Sequence, residues 1–136
     1  EHIALLYLDI ADFKKVNDSY GHEVGNEVLN EISERLRGCL KQTDILSRYG
    51  SDEFVAVLDT DTQEVHAIVE IVIQKIKQKF MAPIICDNNA ENIILNIGAA
   101  FSSESVTEVS TLLKYADYAM HKAKDAEENY FILEQF

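Results

Sequence analysis

Three acids in this chain occupy positions where chemistry could arise. Asp9 ends the apolar run Ile3–Leu8, and Asp52 and Glu53 close the short segment Gly50-Ser51-Asp52-Glu53 between two apolar stretches. Carboxylates gathered from such separate positions repel one another in a partly dry site. A divalent cation relieves that repulsion, and oxygen donors without a neighbouring cysteine suit Mg²⁺ or Mn²⁺ rather than zinc. Such ions activate a hydroxyl and stabilise charge at phosphorus. The same acids could equally cap a strand end and a turn in water, so the chemistry depends on the elements that carry them.

Ile3–Ile10 is an almost continuous apolar run, the pattern of a central strand buried on both faces. Val24, Val28, Leu29, Ile32, Leu36 and Leu40 have helical spacing. Ile45–Tyr49 and Phe54–Leu58 flank the Gly50–Glu53 turn and predict a β-hairpin. A second helix is predicted over Gln63–Phe80, closed by Pro83. Ile84–Ile85 predicts a small edge strand, Asp87–Asn92 a loop, Ile93–Phe101 a strand, Thr107–Lys124 a third helix and Tyr130–Leu133 a last strand. The order β-α-β-β-α-β-α-β predicts an α/β (α+β) sandwich of the ferredoxin-like type, with a mainly antiparallel sheet flanked by helices. In that topology the third strand runs antiparallel beside the first, which brings Asp52 and Glu53 next to Asp9.

The 136 residues form one domain with 47 % hydrophobic and 26 % charged residues, ordinary globular composition. Twenty-four acids against twelve Lys and Arg give a net charge of −12, which repels polyanions and argues against nucleic-acid binding. A small phosphorylated ligand then needs a cation or a local basic spot. Cys39 and Cys86 read as buried free thiols of a reducing compartment, with no disulfide framework and no zinc spacing. No apolar run is long enough to span or insert into a membrane. The chain opens without the basic segment of a secretory signal, and a cytoplasmic location is expected, including as the cytoplasmic module of a membrane-bound sensor.

The segment Tyr7-Leu8-Asp9-Ile10-Ala11-Asp12-Phe13-Lys14-Lys15-Val16-Asn17-Asp18-Ser19-Tyr20-Gly21-His22 resembles the first signature of the GGDEF family, the diguanylate cyclases. Arg48-Tyr49-Gly50-Ser51-Asp52-Glu53-Phe54 resembles the motif that names the family. Asn96-Ile97-Gly98-Ala99-Ala100 and Ala116-Asp117-Tyr118-Ala119-Met120-His121-Lys122-Ala123-Lys124 resemble its two later signatures. The resemblance covers almost the whole chain and implies the palm-type, nucleotidyl-cyclase variant of the fold. It implies that Asp9, the Ile10 carbonyl and Glu53 hold Mg²⁺ or Mn²⁺, and that Asp52 and Glu53 help deprotonate an attacking 3′-hydroxyl. Asn17 and Asn26 would face guanine, Lys124 the triphosphate, and Phe13, Lys14 and the Gly50-Ser51 backbone the phosphates. The implied reaction joins two GTP molecules into cyclic di-GMP across a homodimer.

Six departures from the family pattern bear on activity. Ser51 stands at the second glycine of the motif, where a Cβ is tolerated only if the backbone angle suits it. Asn26 replaces an aspartate, exchanging one acceptor for a donor opposite guanine. Glu128 stands where a phosphate-binding arginine is usual, a two-unit change of charge. Ala11 replaces the second acid of Asp-x-Asp, although Asp12 follows. Lys41-Gln42-Thr43-Asp44 replaces the Arg-x-x-Asp inhibitory site, so Lys41 and Asp44 form a degenerate product site. The given residues begin after the family's preceding helix, and the chain is expected to be a piece of a longer signalling protein. These departures imply impaired turnover, or a catalytically inactive GTP-binding or protein-interaction module.

Other polar residues read as structural. His22 begins a helix or caps it, and His66 and His121 fall on polar helix faces. Arg48 is expected to pair with Asp44 across a strand face. Lys114 and Lys122 belong to a solvated helix face, and the tyrosines and phenylalanines to core and rim.

Overall fold

A computed structural model describes residues 2–60, 64–103 and 106–134, with the backbone alone at residue 60. The elements are β1 (His2–Ile10), α1 (Phe13–Tyr20), α2 (His22–Gly38), β2 (Ile45–Arg48), β3 (Glu53–Thr60), α3 (Val65–Lys79), β4 (Ile84–Cys86), β5 (Asn89–Glu91), β6 (Leu95–Phe101), α4 (Val109–Ala123) and β7 (Tyr130–Ile132). Five strands form one sheet in the order β2-β3-β1-β6-β7; all pairs are antiparallel except β6–β7. This is the predicted sandwich, with β7 added beyond the four ferredoxin-like strands.

Strand alternation divides the core in two. Ala4, Leu6, Leu8 and Ile10 of β1 join Phe54, Ala56 and Leu58 of β3 and Ile97 and Ala99 of β6 beneath α2 and α3. Leu5, Tyr7, Val55 and Ala100 point to the opposite face, where Leu112, Ala116 and Met120 of α4 cover them. The central strand is therefore apolar on both sides because helices cover both. Gly98 permits the closest of these contacts: a Cβ there would stand 2.0 Å from the Met120 backbone nitrogen and 2.5 Å from the Ala116 carbonyl oxygen.

α3 and α4 end within one residue of their predicted C-termini, whereas α2 ends at Gly38, short of Leu40, and α4 begins at Val109 rather than Thr107. The buried stripe of α2 is Gly25, Val28, Leu29, Ile32 and Leu36, with Glu23 in its first turn and Arg35 and Arg37 in its last, matching the helix dipole. Arg35 also donates to the carbonyls of Lys79 (3.2 Å), Ala82 (2.6 Å) and Pro83 (3.1 Å), satisfying the chain end of α3. Cys39 and Cys86 are free and buried, as predicted.

Three local expectations are corrected. A separate helix, α1, precedes α2; the two are divided by Gly21 at φ 88°, a conformation that favours glycine. The expected loop Asp87–Asn92 contains β5. It pairs with β4 in a separate two-stranded hairpin through Asp87 and Asn88, both at positive φ, so β4 is not an edge of the main sheet. Arg48 does not reach Asp44: its Nε donates to the Gly50 carbonyl at 3.2 Å. Asp44 is buried and accepts instead from the backbone N–H groups of Lys41 (2.9 Å) and Asp59 (3.4 Å). The predicted start of the second helix at Gln63 lies outside the described residues.

Candidate functional site

Sheet register assembles the acids. Asp9 lies opposite Glu53 across β1–β3 and opposite Asn96 across β1–β6. All three continue the strand alternation that faces α4. The Ile10 N–H donates to the Asp52 carbonyl at 3.0 Å, which ties the end of β1 to the hairpin turn. One oxygen from each of Asp9, Asp52 and Glu53 then falls within 4.8 Å of the others. Oxygens on a single Mg²⁺ lie at most about 4.2 Å apart, so small side-chain adjustments fit this all-oxygen set to Mg²⁺ or Mn²⁺.

The electrostatics favour a cation. Asp9 is only 8 % exposed, and burial raises its carboxyl above the usual range. Lys124, at the end of α4, brings Nζ to 3.5 Å from Asp9 Oδ2 and draws the value back down. Asp52 and Glu53 push it up again. One lysine among three acids leaves the cluster with excess acceptors.

Around the acids, the predicted ligand residues divide by location. Ser51 is exposed and is not among the residues at positive φ, so its Cβ introduces no backbone strain. Gly50 is a place of close approach: a Cβ there would lie 3.2 Å from Glu53 Oε1. Asn17 is half-buried on α1, and its Oδ1 occupies space that a Cβ on Gly25 would need, 1.9 Å away. Asn26 follows Gly25 and is exposed, as is Lys14. The Phe13 side chain is part of the core beneath α2, so only its backbone is available to a ligand.

Glu128 is exposed and turned toward α3, with Oε1 3.5 Å from Lys77 Nζ. Asn129, at φ 62°, donates from Nδ2 to Asn96 Oδ1 at 3.1 Å and so anchors the segment after α4 beside β6. At the other end of α2, Lys41 is exposed, while Arg37 donates to the carbonyls of Asp44 and Lys41. His66 and His121 pair with Glu134 (3.0 Å) and Asp117 (3.4 Å) and stay outside the acid cluster.

Tyr7 is absent from the predicted ligand set, yet its hydroxyl donates to Glu53 Oε1 at 2.9 Å. Its two-residue spacing from Asp9 was the available signal, since that places both on one face of a strand. Gly25 carries no such signal in the sequence, because the contact it permits is made by a different helix.

A family model described as "Diguanylate cyclase, GGDEF domain" matches residues 1–130. A relative named cyclic di-GMP phosphodiesterase NbdA, from Pseudomonas aeruginosa, is 33 % identical over 123 residues, covering 90 % of this chain and 15 % of that protein. Diguanylate cyclase A of Treponema denticola is 29 % identical over 125 residues, covering 91 % of this chain and 33 % of that protein. The chain thus spans a third or less of these relatives. The crystal structure of the GGDEF domain of YfiN (TpbB) from Pseudomonas aeruginosa superposes with a TM-score of 0.88 at 33 % identity, over 100 % of this chain and 84 % of that one.

Proposed function

The chain belongs to the GGDEF family of diguanylate cyclase domains, and from that membership we propose that it joins two GTP molecules into cyclic di-GMP. The observation that carries the proposal is the convergence of Asp9, Asp52 and Glu53 on one point, with oxygens within 4.8 Å of one another. Mg²⁺ or Mn²⁺ bound there would polarise the α-phosphate and lower the barrier to deprotonating a 3′-hydroxyl. Asp9, the Ile10 carbonyl and Glu53 would hold it.

The remaining roles belong to the chain's own groups. Asn17, braced against Gly25, and Asn26 orient the base. The Gly50-Ser51 backbone lies along the phosphates, and Lys124 turns from Asp9 to the triphosphate when a cation replaces it. Asp52 and Glu53 help deprotonate the 3′-hydroxyl, the single proton passing to one of the two carboxylates or on to solvent. Each 3′-oxygen then bonds to the α-phosphorus of the other GTP, and pyrophosphate leaves from each. Two domains must face one another for this, so a homodimer is part of the proposal. Its rate advantage comes from positioning and charge stabilisation. A cytoplasmic location, with GTP at hand, completes it.

The test is incubation of the full-length protein at high concentration with GTP and Mg²⁺ or Mn²⁺, followed by nucleotide chromatography. Cyclic di-GMP, or its linear intermediate pppGpG, is expected. If neither forms, the cyclase reading is overturned. Tight GTP binding without product would make the domain a GTP-responsive regulatory module.

A further inference from the structure

We propose that Tyr7 is a positioning residue whose phenol orients the Glu53 carboxylate for cation binding. The inference rests on the cation-site part of the cyclase reading and assigns a role to a residue outside the ligand set.

The geometry follows from register. Tyr7 stands opposite Val55, so Glu53, two residues earlier on β3, is its diagonal neighbour on the same sheet face. A tyrosine reaches across that diagonal, and its hydroxyl meets Glu53 Oε1 at 2.9 Å. The ring is 7 % exposed and meets Tyr49 edge-on, with centroids 6.0 Å apart and an interplanar angle of 70°. The same Glu53 oxygen lies 3.2 Å from where a Gly50 Cβ would be. Oε1 therefore has a donor on a buried ring and lies in space that a side chain at position 50 would crowd.

The hydroxyl has little to do for packing. Phenylalanine would keep the ring in the cluster that includes Leu5, Val55 and Leu112, and a buried hydroxyl costs desolvation energy unless it is bonded. Glu53 supplies that bond. A phenol keeps its proton at neutral pH and so serves as the donor. A half-buried glutamate at a hairpin tip otherwise samples several rotamers, and ordering it would oppose cation binding. Partners that fix ligand carboxylates typically change metal affinity by about 10- to 100-fold when removed.

The experiment uses the full-length protein and Mn²⁺ alone, with free Mn²⁺ read by electron paramagnetic resonance and without nucleotide. Tyr7→Phe keeps the ring and removes the hydroxyl, and is expected to raise the Mn²⁺ Kd by about tenfold. Tyr7→Leu, which also loses the ring, is expected to show the same Kd with a lower melting temperature. A purely structural Tyr7 would lower the melting temperature and leave the Kd unchanged. An unchanged Kd in folded Tyr7→Phe overturns the inference and leaves the cyclase reading standing. A parent protein that binds no Mn²⁺ without nucleotide overturns the inference, while the cyclase reading is decided by product formation alone. A Kd shift without any nucleotide product supports the role of Tyr7 while the cyclase reading fails.

Discussion

Lys124 Nζ stands 3.5 Å from Asp9 Oδ2, so the end of α4 lays a positive charge against the acid that closes the central strand. The pair is lopsided: Asp9 is buried, while the lysine side chain is 42 % exposed and free to swing away. A divalent cation arriving at the acids would compete for the same oxygen.

Asp9→Asn tests that competition. Burial raises the Asp9 carboxyl above its ordinary 3.8. The folded protein therefore binds its proton more tightly than the unfolded chain does, and stability falls as pH rises through the raised value. At neutral pH the ionised acid opposes folding. Removing the charge is expected to raise the metal-free melting temperature by a few degrees, on the order of 1 kcal/mol for a domain of this size. Mn²⁺ binding is expected to be lost. Calorimetry without metal checks the first expectation and paramagnetic resonance the second; a lower melting temperature contradicts the argument.

Gly98→Ala separates a glycine required by packing from one in open space. The new methyl would press on the backbone of α4, which cannot rotate aside. A loss of about 3 kcal/mol is expected in urea titration, at the upper end for overpacking. Gly38→Ala, at the end of α2 with nothing within 4 Å of the new methyl, is expected to be neutral or stabilising by up to about 1 kcal/mol.

These two glycines mark what the sequence reveals and what it hides. The central strand is legible because helices on both faces demand apolar residues throughout. The hairpin is legible because its turn carries glycine between apolar runs. By contrast, α1 buries only Phe13 and Val16, with Tyr20 partly buried against the core, and its two turns are too short to establish a period. The segment Asn89–Glu91 is a strand only because it pairs with β4, and polar residues at a separate hairpin leave no alternation to read. The convergence of Asp9, Asp52 and Glu53 was derivable from topology. The Tyr7–Glu53 bond depends on strand register and side-chain direction, which hydrophobic patterning did not specify to one residue.

Gly25→Ala should act at a distance on the nucleobase. Its Cβ would displace Asn17 Oδ1, the end of a side chain that can turn away, so the stability cost is expected to stay near 1 kcal/mol. Under the proposed function the variant should resemble Asn17→Ala, weakening GTP binding by about tenfold, the scale of one hydrogen bond to a ligand. Calorimetric titration with GTP compares the two. Unchanged affinity in Gly25→Ala would separate Asn17 from base recognition.

Tyr20 links the end of α1 to the β4–β5 hairpin through a hydrogen bond from its hydroxyl to Glu91 Oε2. That bond, first among the causes, pushes the phenol from its ordinary 10.0 up to about 12. The folded state keeps its proton where the unfolded chain loses it. The contribution is thus fully present below pH 10 and disappears as pH rises toward 12. The stability difference between parent and Tyr20→Phe is expected to be constant below pH 10 and to shrink across that window. Urea titrations at stepped pH measure it, and a constant difference up to pH 12 would show that the bond is not formed.

Glu128→Arg addresses the departure with the largest change of charge. Glu128 faces Lys77 at 3.5 Å and is well exposed, so the pair contributes under about 1 kcal/mol to stability. Reversing the charge sets a guanidinium beside Lys77, which repels it toward solvent. Asn129 holds the backbone next to Asn96, and Asn96 lies directly across from Asp9. The new arginine would therefore begin two short links from the cation site. A bidentate cation there is expected to tighten GTP binding by about tenfold, with the melting temperature nearly unchanged. Glu128→Gln separates removal of repulsion from gain of a donor, because it abolishes the negative charge without supplying the fork. If Gln and Arg tighten binding equally, the native glutamate acts only by repulsion. If neither changes the dissociation constant, position 128 does not face the triphosphate and the inherited arginine role does not apply to this chain.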